Sequence, residues 1–167
     1  TVLICDSVDP VPAGEESKVL WQSYKVENLE RDVSIPQLIE DNADELKSKY
    51  LAFIYDLGEV KIGGKRVVDY LEIRAGLSYW WTTRLVEKCN YLKSPQINNI
   101  IKLMRFERWL DNKNFTAIKI ITDNGELADS VQMLSDRLGI FFEWKKLPPQ
   151  KTTVSWIRNI YDNLPNI

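Results

Sequence analysis

Hydrophobic residues follow two patterns along this chain: short apolar runs, and longer stretches in which apolar residues recur every three or four positions. The short runs predict buried strands at 2–5, 19–26, 117–122 and 140–144. The helical spacing predicts helices at 43–57, 65–73, 77–90, 95–112 and 126–138, and Ser34 followed by Pro36 predicts a further helix start. Residues 50–55 taken alone also fit a buried strand.

Strands that alternate with helices are typical of an α/β fold. The clearest unit is the strand–helix–strand segment at 117–144, which implies a right-handed parallel crossover. Because further helices occupy the middle of the chain, we predict a Rossmann-like three-layer sandwich with a mostly parallel sheet. We expect one such domain at 1–150, followed by a helix or linker at 151–167.

Charge and hydropathy exclude two classes of partner. The formal net charge of −2 leaves no basic footprint for nucleic acid. No apolar run approaches the ~18 residues that a transmembrane helix requires, so no membrane-spanning segment is expected. Two local groups of basic residues are interpreted as solvated faces: Lys61, Lys65 and Arg66, and Lys102, Arg105 and Arg108.

The residues that metal binding and nucleophilic catalysis require are scarce. The sequence has no histidine, which removes Ser-His and Cys-His catalysis and most zinc chemistry. Cys5 and Cys89 have neither metal-ligand nor disulfide spacing, and such idle thiols fit a reducing cytoplasm. No GxGxxG follows the first strand, and no P-loop sequence occurs, so we expect neither a metal nor a bound cofactor.

Polar residues follow two predicted strands at the point where each strand ends. Asp6 and Ser7 follow the first strand, and Asp123, Asn124 and Gly125 follow the strand at 117–122. In open α/β sheets, ligands bind at the carboxyl ends of parallel strands. Backbone N–H groups at the start of the next helix could bind a phosphate or carboxylate, although the same three residues are also common in a tight turn with an N-cap.

Adjacent tryptophans mark the most distinctive segment. Because neighbouring residues on a helix point about 100° apart, Trp80 and Trp81 cannot both face the core. One or both could form a stacking surface for a sugar or a base, or one could face the core and the other an interface.

Charged and polar residues follow the tryptophans: Glu87, Lys88, Lys93 and Ser94. A carboxylate with ammonium groups nearby can act as a base or bind a polar ligand. A surface ion pair followed by a helix cap explains the same residues equally simply, and exposed pairs of this kind contribute little to stability. The residue types leave both interpretations open.

These motifs resemble a known family. Gly-x-Ser-x-Trp-Trp at 76–81, Glu-Lys at 87–88, Lys-Ser-Pro at 93–95 and the Ile/Leu-rich helix around Lys102-Leu103 occur in an order that resembles the N-terminal region of bacterial surface carbohydrate (O-antigen or capsule) biosynthesis proteins. The resemblance covers roughly residues 45–145, and its Trp-Trp…Glu-Lys…Lys-Ser-Pro part is the specific part.

The resemblance implies a cytoplasmic, glycosyltransferase-like protein with two Rossmann-like halves, the GT-B arrangement. The N-terminal half of such proteins usually binds the sugar or glycan acceptor, and the C-terminal half binds the nucleotide sugar. This chain would then be the acceptor-side half, cut from a longer protein, and inactive alone. The resemblance itself assigns no catalytic residue. From the residue types, Glu87 is our first choice of base for an acceptor hydroxyl, with Asp6 and Asp123 as alternatives, and Lys88 or Lys93 would neutralise acid groups on the sugar.

Two other functions fit the same residues. The chain could be a non-catalytic binding or assembly domain that uses an exposed aromatic surface, because tryptophan is enriched at interface hot spots. It could also be a small stand-alone α/β enzyme that uses Asp6 and Asp123 on a phosphorylated metabolite, although it lacks a glycine-rich phosphate loop.

Overall fold

A computed structural model describes residues 1–6, 14, 16–87, 94–111 and 113–148. The strands are β1 (Val2–Cys5), β2 (Ser17–Leu20), β3 (Val33–Ser34), β4 (Lys61–Ile62), β5 (Lys65–Arg66), β6 (Glu72–Arg74), β7 (Leu77–Ser78), β8 (Ala117–Thr122) and β9 (Phe141–Lys146). The helices are α1 (Ile35–Glu40), α2 (Ala43–Glu59), α3 (Val67–Tyr70), a 3-10 helix (Tyr79–Thr82), α4 (Pro95–Leu110) and α5 (Gly125–Leu138). The predicted α/β, Rossmann-like class is confirmed.

A five-stranded parallel sheet in the order β3-β2-β1-β8-β9 forms the centre of the molecule. The chain steps from β1 to β2 and β3 on one side, and then crosses to β8 and β9 on the other side. The strand order therefore reverses between β1 and β8, which is where ligands bind in open α/β sheets. Ile4 lies opposite Val19 on one neighbour and opposite Ile120 on the other.

One face of the sheet carries the main core. Alternate residues of a strand point to opposite faces, so Val2 and Ile4 point to the helical side and pack with residues from the neighbouring strands. The helices α1, α4 and α5 cover this side. Their buried contributions to the core are Ile35, Phe106, Leu110, Leu127, Ala128, Val131 and Leu134.

The opposite face has a smaller apolar cluster of Leu3, Cys5, Leu20 and Ile121. The described residues that pack on it are Val26, which lies between β2 and β3, and Leu147, which follows β9; neither belongs to a helix. Parallel strands are joined by right-handed crossovers, so connections that step in opposite directions along the sheet lie on opposite faces. The connections to β8 and β9, which contain the helices, step one way, and the connection from β2 to β3 steps the other way.

Burial in this second cluster raises the pKa of the Cys5 thiol to about 11. Thiolate is the reactive form, so the raised pKa leaves much less of it near neutral pH than an exposed cysteine would have. We expect Cys5 in the folded protein to resist iodoacetamide at pH 8, and to react once guanidinium unfolds the chain. Peptide mapping by mass spectrometry measures this; equal labelling of Cys5 with and without denaturant would contradict it.

The predicted helix at 65–73 is wrong. Gly63 and Gly64 have φ of 57° and 84°, which are the left-handed values that a two-residue hairpin turn requires at both positions. β4 and β5 therefore pair across this turn, and Lys65 and Arg66 are strand residues. Only the four residues of α3 remain helical before β6 begins at Glu72.

The predicted helix at 77–90 is also wrong in its described part. Gly76 has φ of 76° and closes a second hairpin, in which β7 pairs with β6. The hydroxyl of Ser78 then accepts a hydrogen bond from the N–H of Trp80 at 3.2 Å and starts the short 3-10 helix instead. Residues 88–90 lie outside the described residues. The two hairpins, α3 and the 3-10 helix, residues 61–82, are called the hairpin module below.

Some of the other predicted element boundaries agree with the structure and some do not. The strand predicted at 19–26 is wrong beyond residue 20, because β2 ends at Leu20. The helix at 43–57 is confirmed as α2, against the alternative strand at 50–55. The helices at 95–112 and 126–138 and the strand at 140–144 are confirmed within two residues. The C-terminal helix or linker at 151–167 lies outside the described residues.

Candidate functional site

Four polar side chains meet at the carboxyl-terminal end of the sheet, beside β1 and β8, where the strand order reverses. Asp6 follows β1, Thr122 ends β8, Gln22 lies just beyond β2, and Lys102 comes from the middle of α4. Thr122 Oγ1 donates to Asp6 Oδ2 at 2.6 Å, and Gln22 Nε2 donates to Asp6 Oδ1 at 2.9 Å. Lys102 Nζ donates to Gln22 Oε1 at 2.6 Å. These four residues are called the Asp6 cluster below.

Three members of the Asp6 cluster are buried and one faces solvent. Asp6 is 5% exposed, Lys102 is 4% exposed and Thr122 is fully buried, whereas Gln22 is exposed. Burial lowers the pKa of the Lys102 ammonium, and the nearby negative charge of Asp6 opposes this shift. Burial of two opposite charges in hydrogen-bonded positions costs desolvation energy, so such arrangements are often functional rather than stabilising.

The surrounding backbone holds the Asp6 cluster in place. The N–H of Asp6 donates to the carbonyl of Ile121 at 3.1 Å, so the residue after β1 continues the pairing with β8. The N–H of Trp21 likewise donates to the carbonyl of Cys5 at 2.9 Å. The main chain is therefore held by hydrogen bonds both at Asp6 and at Trp21, the residue before Gln22.

The interpretation of Lys102 as part of a solvated face with Arg105 and Arg108 is wrong. The structure buries Lys102 on the side of α4 that faces the sheet. Asn99, one turn earlier, accepts a hydrogen bond from Trp21 Nε1 at 3.0 Å. α4 thus passes over the carboxyl end of β2, where the buried Lys102 donates to the polar side chain of Gln22.

The start of α5 adjoins the Asp6 cluster. Asn124 Oδ1 accepts from the N–H of Leu127 at 3.1 Å, which is the N-cap arrangement that the sequence left open. The N–H of Asn124 donates to Thr122 Oγ1 at 3.0 Å. Gly125 is the first helical residue, and Asp123 is exposed beside it. Asp6, Asn124 and Gly125 are therefore brought together, with Thr122 as the link that sequence reasoning missed.

One tryptophan of the pair is buried and the other is exposed, which is one of the two alternatives that the sequence left open, and both lie on a 3-10 helix. Trp80 is 5% exposed and packs against Gly58 of α2, whereas Trp81 is 48% exposed. Trp80 therefore presents almost no exposed face on which a ligand could stack, whereas Trp81 does present one. The exposed aromatic neighbour of Trp81 is Tyr79, which is 54% exposed.

The remaining candidates of this segment lie apart from the sheet edge or outside the described residues. Glu87 is exposed, and its N–H donates to the carbonyl of Thr83 at 3.2 Å. Ser94 occupies the N-cap position of α4, but its hydroxyl donates to Gln96 Oε1 at 3.1 Å and accepts no capping hydrogen bond from a backbone N–H of the helix. Ser7, Lys88 and Lys93 lie outside the described residues.

The hairpin module packs chiefly against α2. Tyr50 of α2 donates its hydroxyl to the carbonyl of Leu85 at 2.8 Å, which anchors the segment that leads to Glu87. The exposed aromatic side chains of the hairpin module, Tyr79 and Trp81, therefore lie in a different part of the fold from the Asp6 cluster. The candidate site residues thus lie in two parts of the fold: one set at the Asp6 cluster, and the other on the hairpin module and the segment that leads to Glu87.

Searches for similar proteins found no matching protein-family model, no matching curated protein and no matching solved structure. Within the described ranges, no helix has the length and apolar character needed to cross a membrane. In the same part of the chain, no group of three or more Cys, Asp or Glu residues is placed to bind a metal ion.

Proposed function

We propose that this chain is the N-terminal, acceptor-side domain of a glycosyltransferase-like protein in bacterial cell-surface polysaccharide biosynthesis. The observation that carries the proposal is the buried Asp6 carboxylate, held by Thr122 and Gln22 at the reversal point of a parallel sheet. The resemblance of segment 76–95 to surface carbohydrate biosynthesis proteins supplies the reaction class.

Asp6 is the base in this proposal. Its carboxylate takes the proton from an acceptor hydroxyl while the hydroxyl oxygen bonds to the anomeric carbon of the donor sugar. The bond from that carbon to the nucleotide diphosphate breaks, and the leaving group takes the electron pair. A carboxylate has about four lone-pair sites, so it can accept from a ligand hydroxyl beside Thr122 and Gln22. A domain beyond this sequence would bind the nucleotide sugar, and the protein would work in the cytoplasm.

Asp6 is favoured over the other two candidate carboxylates by its surroundings. Asp123 and Glu87 are exposed, whereas Asp6 is 5% exposed. Thr122 donates to one oxygen of Asp6 and Gln22 donates to the other. A fixed orientation matters because proton transfer requires the base within hydrogen-bond distance of the hydroxyl.

Gene disruption in the source cell, followed by complementation with variants of the whole gene product, tests the proposal. We expect disruption to remove a surface polysaccharide, and the wild-type gene to restore it. Asp6→Asn should lower the rate of transfer by about 10²–10⁴-fold, the contribution of a general base. Asp123→Asn and Glu87→Gln are the matched controls, and both should restore the polysaccharide.

Intact surface polysaccharide after disruption would overturn the proposed function. Normal transfer by Asp6→Asn, with loss in Glu87→Gln, would move the base to Glu87.

The exposed aromatic side chains Tyr79 and Trp81 favour a second candidate, a non-catalytic binding or assembly domain. Exposed tryptophan that docks a partner contributes strongly to binding. In the same complementation assay, loss of polysaccharide in Trp81→Ala with full activity in Asp6→Asn would support this second function.

A further inference from the structure

The Gln22 amide has two chemically different ends, and the Asp6 cluster uses both. Its NH₂ group donates to Asp6, and its oxygen accepts from Lys102. An ammonium has donors only and a carboxylate has acceptors only, so rotation of the amide by 180° would mismatch both contacts. Lys102 therefore permits one orientation of Gln22, the one in which a donor faces Asp6.

Lys102 is itself held firmly. One turn earlier on α4, Asn99 is bonded to Trp21, the neighbour of Gln22 in sequence. One turn later, the fully buried Phe106 packs edge-on against the ring of Trp21 at 6.0 Å between centroids. The helix thus contacts Trp21 on both sides of Lys102, which holds the backbone of α4 at this point, and the ammonium lies 2.6 Å from Gln22 Oε1.

We propose that Lys102 is a positioning residue of the Asp6 site: by setting the orientation of the Gln22 amide, it holds Asp6 as a hydrogen-bond acceptor for a hydroxyl-bearing ligand. Thr122 holds one carboxylate oxygen and Gln22 the other, so the plane of the carboxylate is defined. The identity of the ligand as a sugar acceptor rests on the proposed function; the positioning by Lys102 does not.

Side-chain NMR of the isotope-labelled chain tests the positioning directly. The reporters are solvent exchange of the Gln22 NH₂ protons and the ¹³C shift of the Asp6 carboxyl carbon. In wild type, we expect Gln22 exchange to be slowed about tenfold relative to a free amide, the effect of one net hydrogen bond. Lys102→Met should abolish this protection and move the Asp6 signal, whereas Lys102→Arg, which keeps only donors, should retain both.

Arg105→Met is the matched control, because it removes a hydrogen bond that ties α4 to the carbonyl of Leu38 at 3.1 Å and touches neither Gln22 nor Trp21. If Lys102 merely fastened α4, Arg105→Met would also move the Asp6 signal, and that result would overturn the proposal. Should Lys102→Met fail to fold, Gln22→Leu at an exposed position still tests the link. An unmoved Asp6 signal in Gln22→Leu would equally overturn it.

The NMR and the complementation assay fail independently. Loss of Gln22 protection in Lys102→Met, in a protein whose disruption leaves polysaccharide intact, would keep the positioning and discard the transferase function. Normal Gln22 protection in Lys102→Met would discard the positioning alone.

Discussion

Phe106→Ala is expected to lower the free energy of unfolding by about 3–5 kcal/mol. Phe106 is fully buried on α4. Its ring meets Trp21 edge-on and stacks on Trp109, each at 6.0 Å between centroids. The rings around it cannot collapse into the space, so the loss combines the transfer energy of the ring with the cost of a cavity. Denaturant unfolding followed by far-UV circular dichroism measures the change.

An exposed residue of similar apolar character provides the control. Met133 on α5 is 73% exposed, so Met133→Ala should change stability by less than about 0.5 kcal/mol. A loss below about 1 kcal/mol in Phe106→Ala would mean that α4 does not pack on the sheet as described.

Gly58→Ala is expected to destabilise the protein by about 1–2 kcal/mol, although alanine usually improves a helix. An added Cβ would lie 2.8 Å from Trp80 Nε1, closer than van der Waals contact allows. Trp80 is buried and rigid, so it cannot move aside cheaply. The same denaturant unfolding measures the change; a gain in stability would contradict the close packing of α2 on the 3-10 helix.

Trp80→Phe completes a double-mutant cycle with Gly58→Ala. The indole N–H of Trp80 is buried without an acceptor in the described part of the chain, and phenylalanine lacks both this group and the atoms that would clash. We therefore expect Gly58→Ala to cost less in the Trp80→Phe background than in wild type, because contacting residues couple. Equal costs in the two backgrounds would show that the strain lies elsewhere.

Local signals were sufficient where they agreed with the fold. In 117–144, a β-branched run, an N-cap at Asn124 and a left-handed glycine at 139 each mark a boundary, and the structure has β8, α5 and β9 there. Asp6 and Asn124 were found because parallel strands bring their carboxyl ends to one edge.

The same local signals were insufficient between 61 and 87. The apolar spacing in this region fits a helix. The chain forms two hairpins instead, because left-handed glycines let it reverse direction and pair with itself. Such pairing is a contact between two segments and is not a property of either segment alone. Trp80 is buried against Gly58, and the missing side chain of this glycine matters only because the tryptophan 22 positions further along the chain packs on it.

The sequence by itself determined the α/β class, the position of the carboxylates after β1 and β8, and that Trp80 and Trp81 do not both face the core. Strand propensity, capping and the angular spacing of neighbours are local properties that a single chain displays directly. Only the tertiary structure decided that Lys102 is buried and that Gln22 joins it to Asp6. Those contacts span 80 and 16 positions, and no local pattern records which charged residue of a helix will meet the end of a strand.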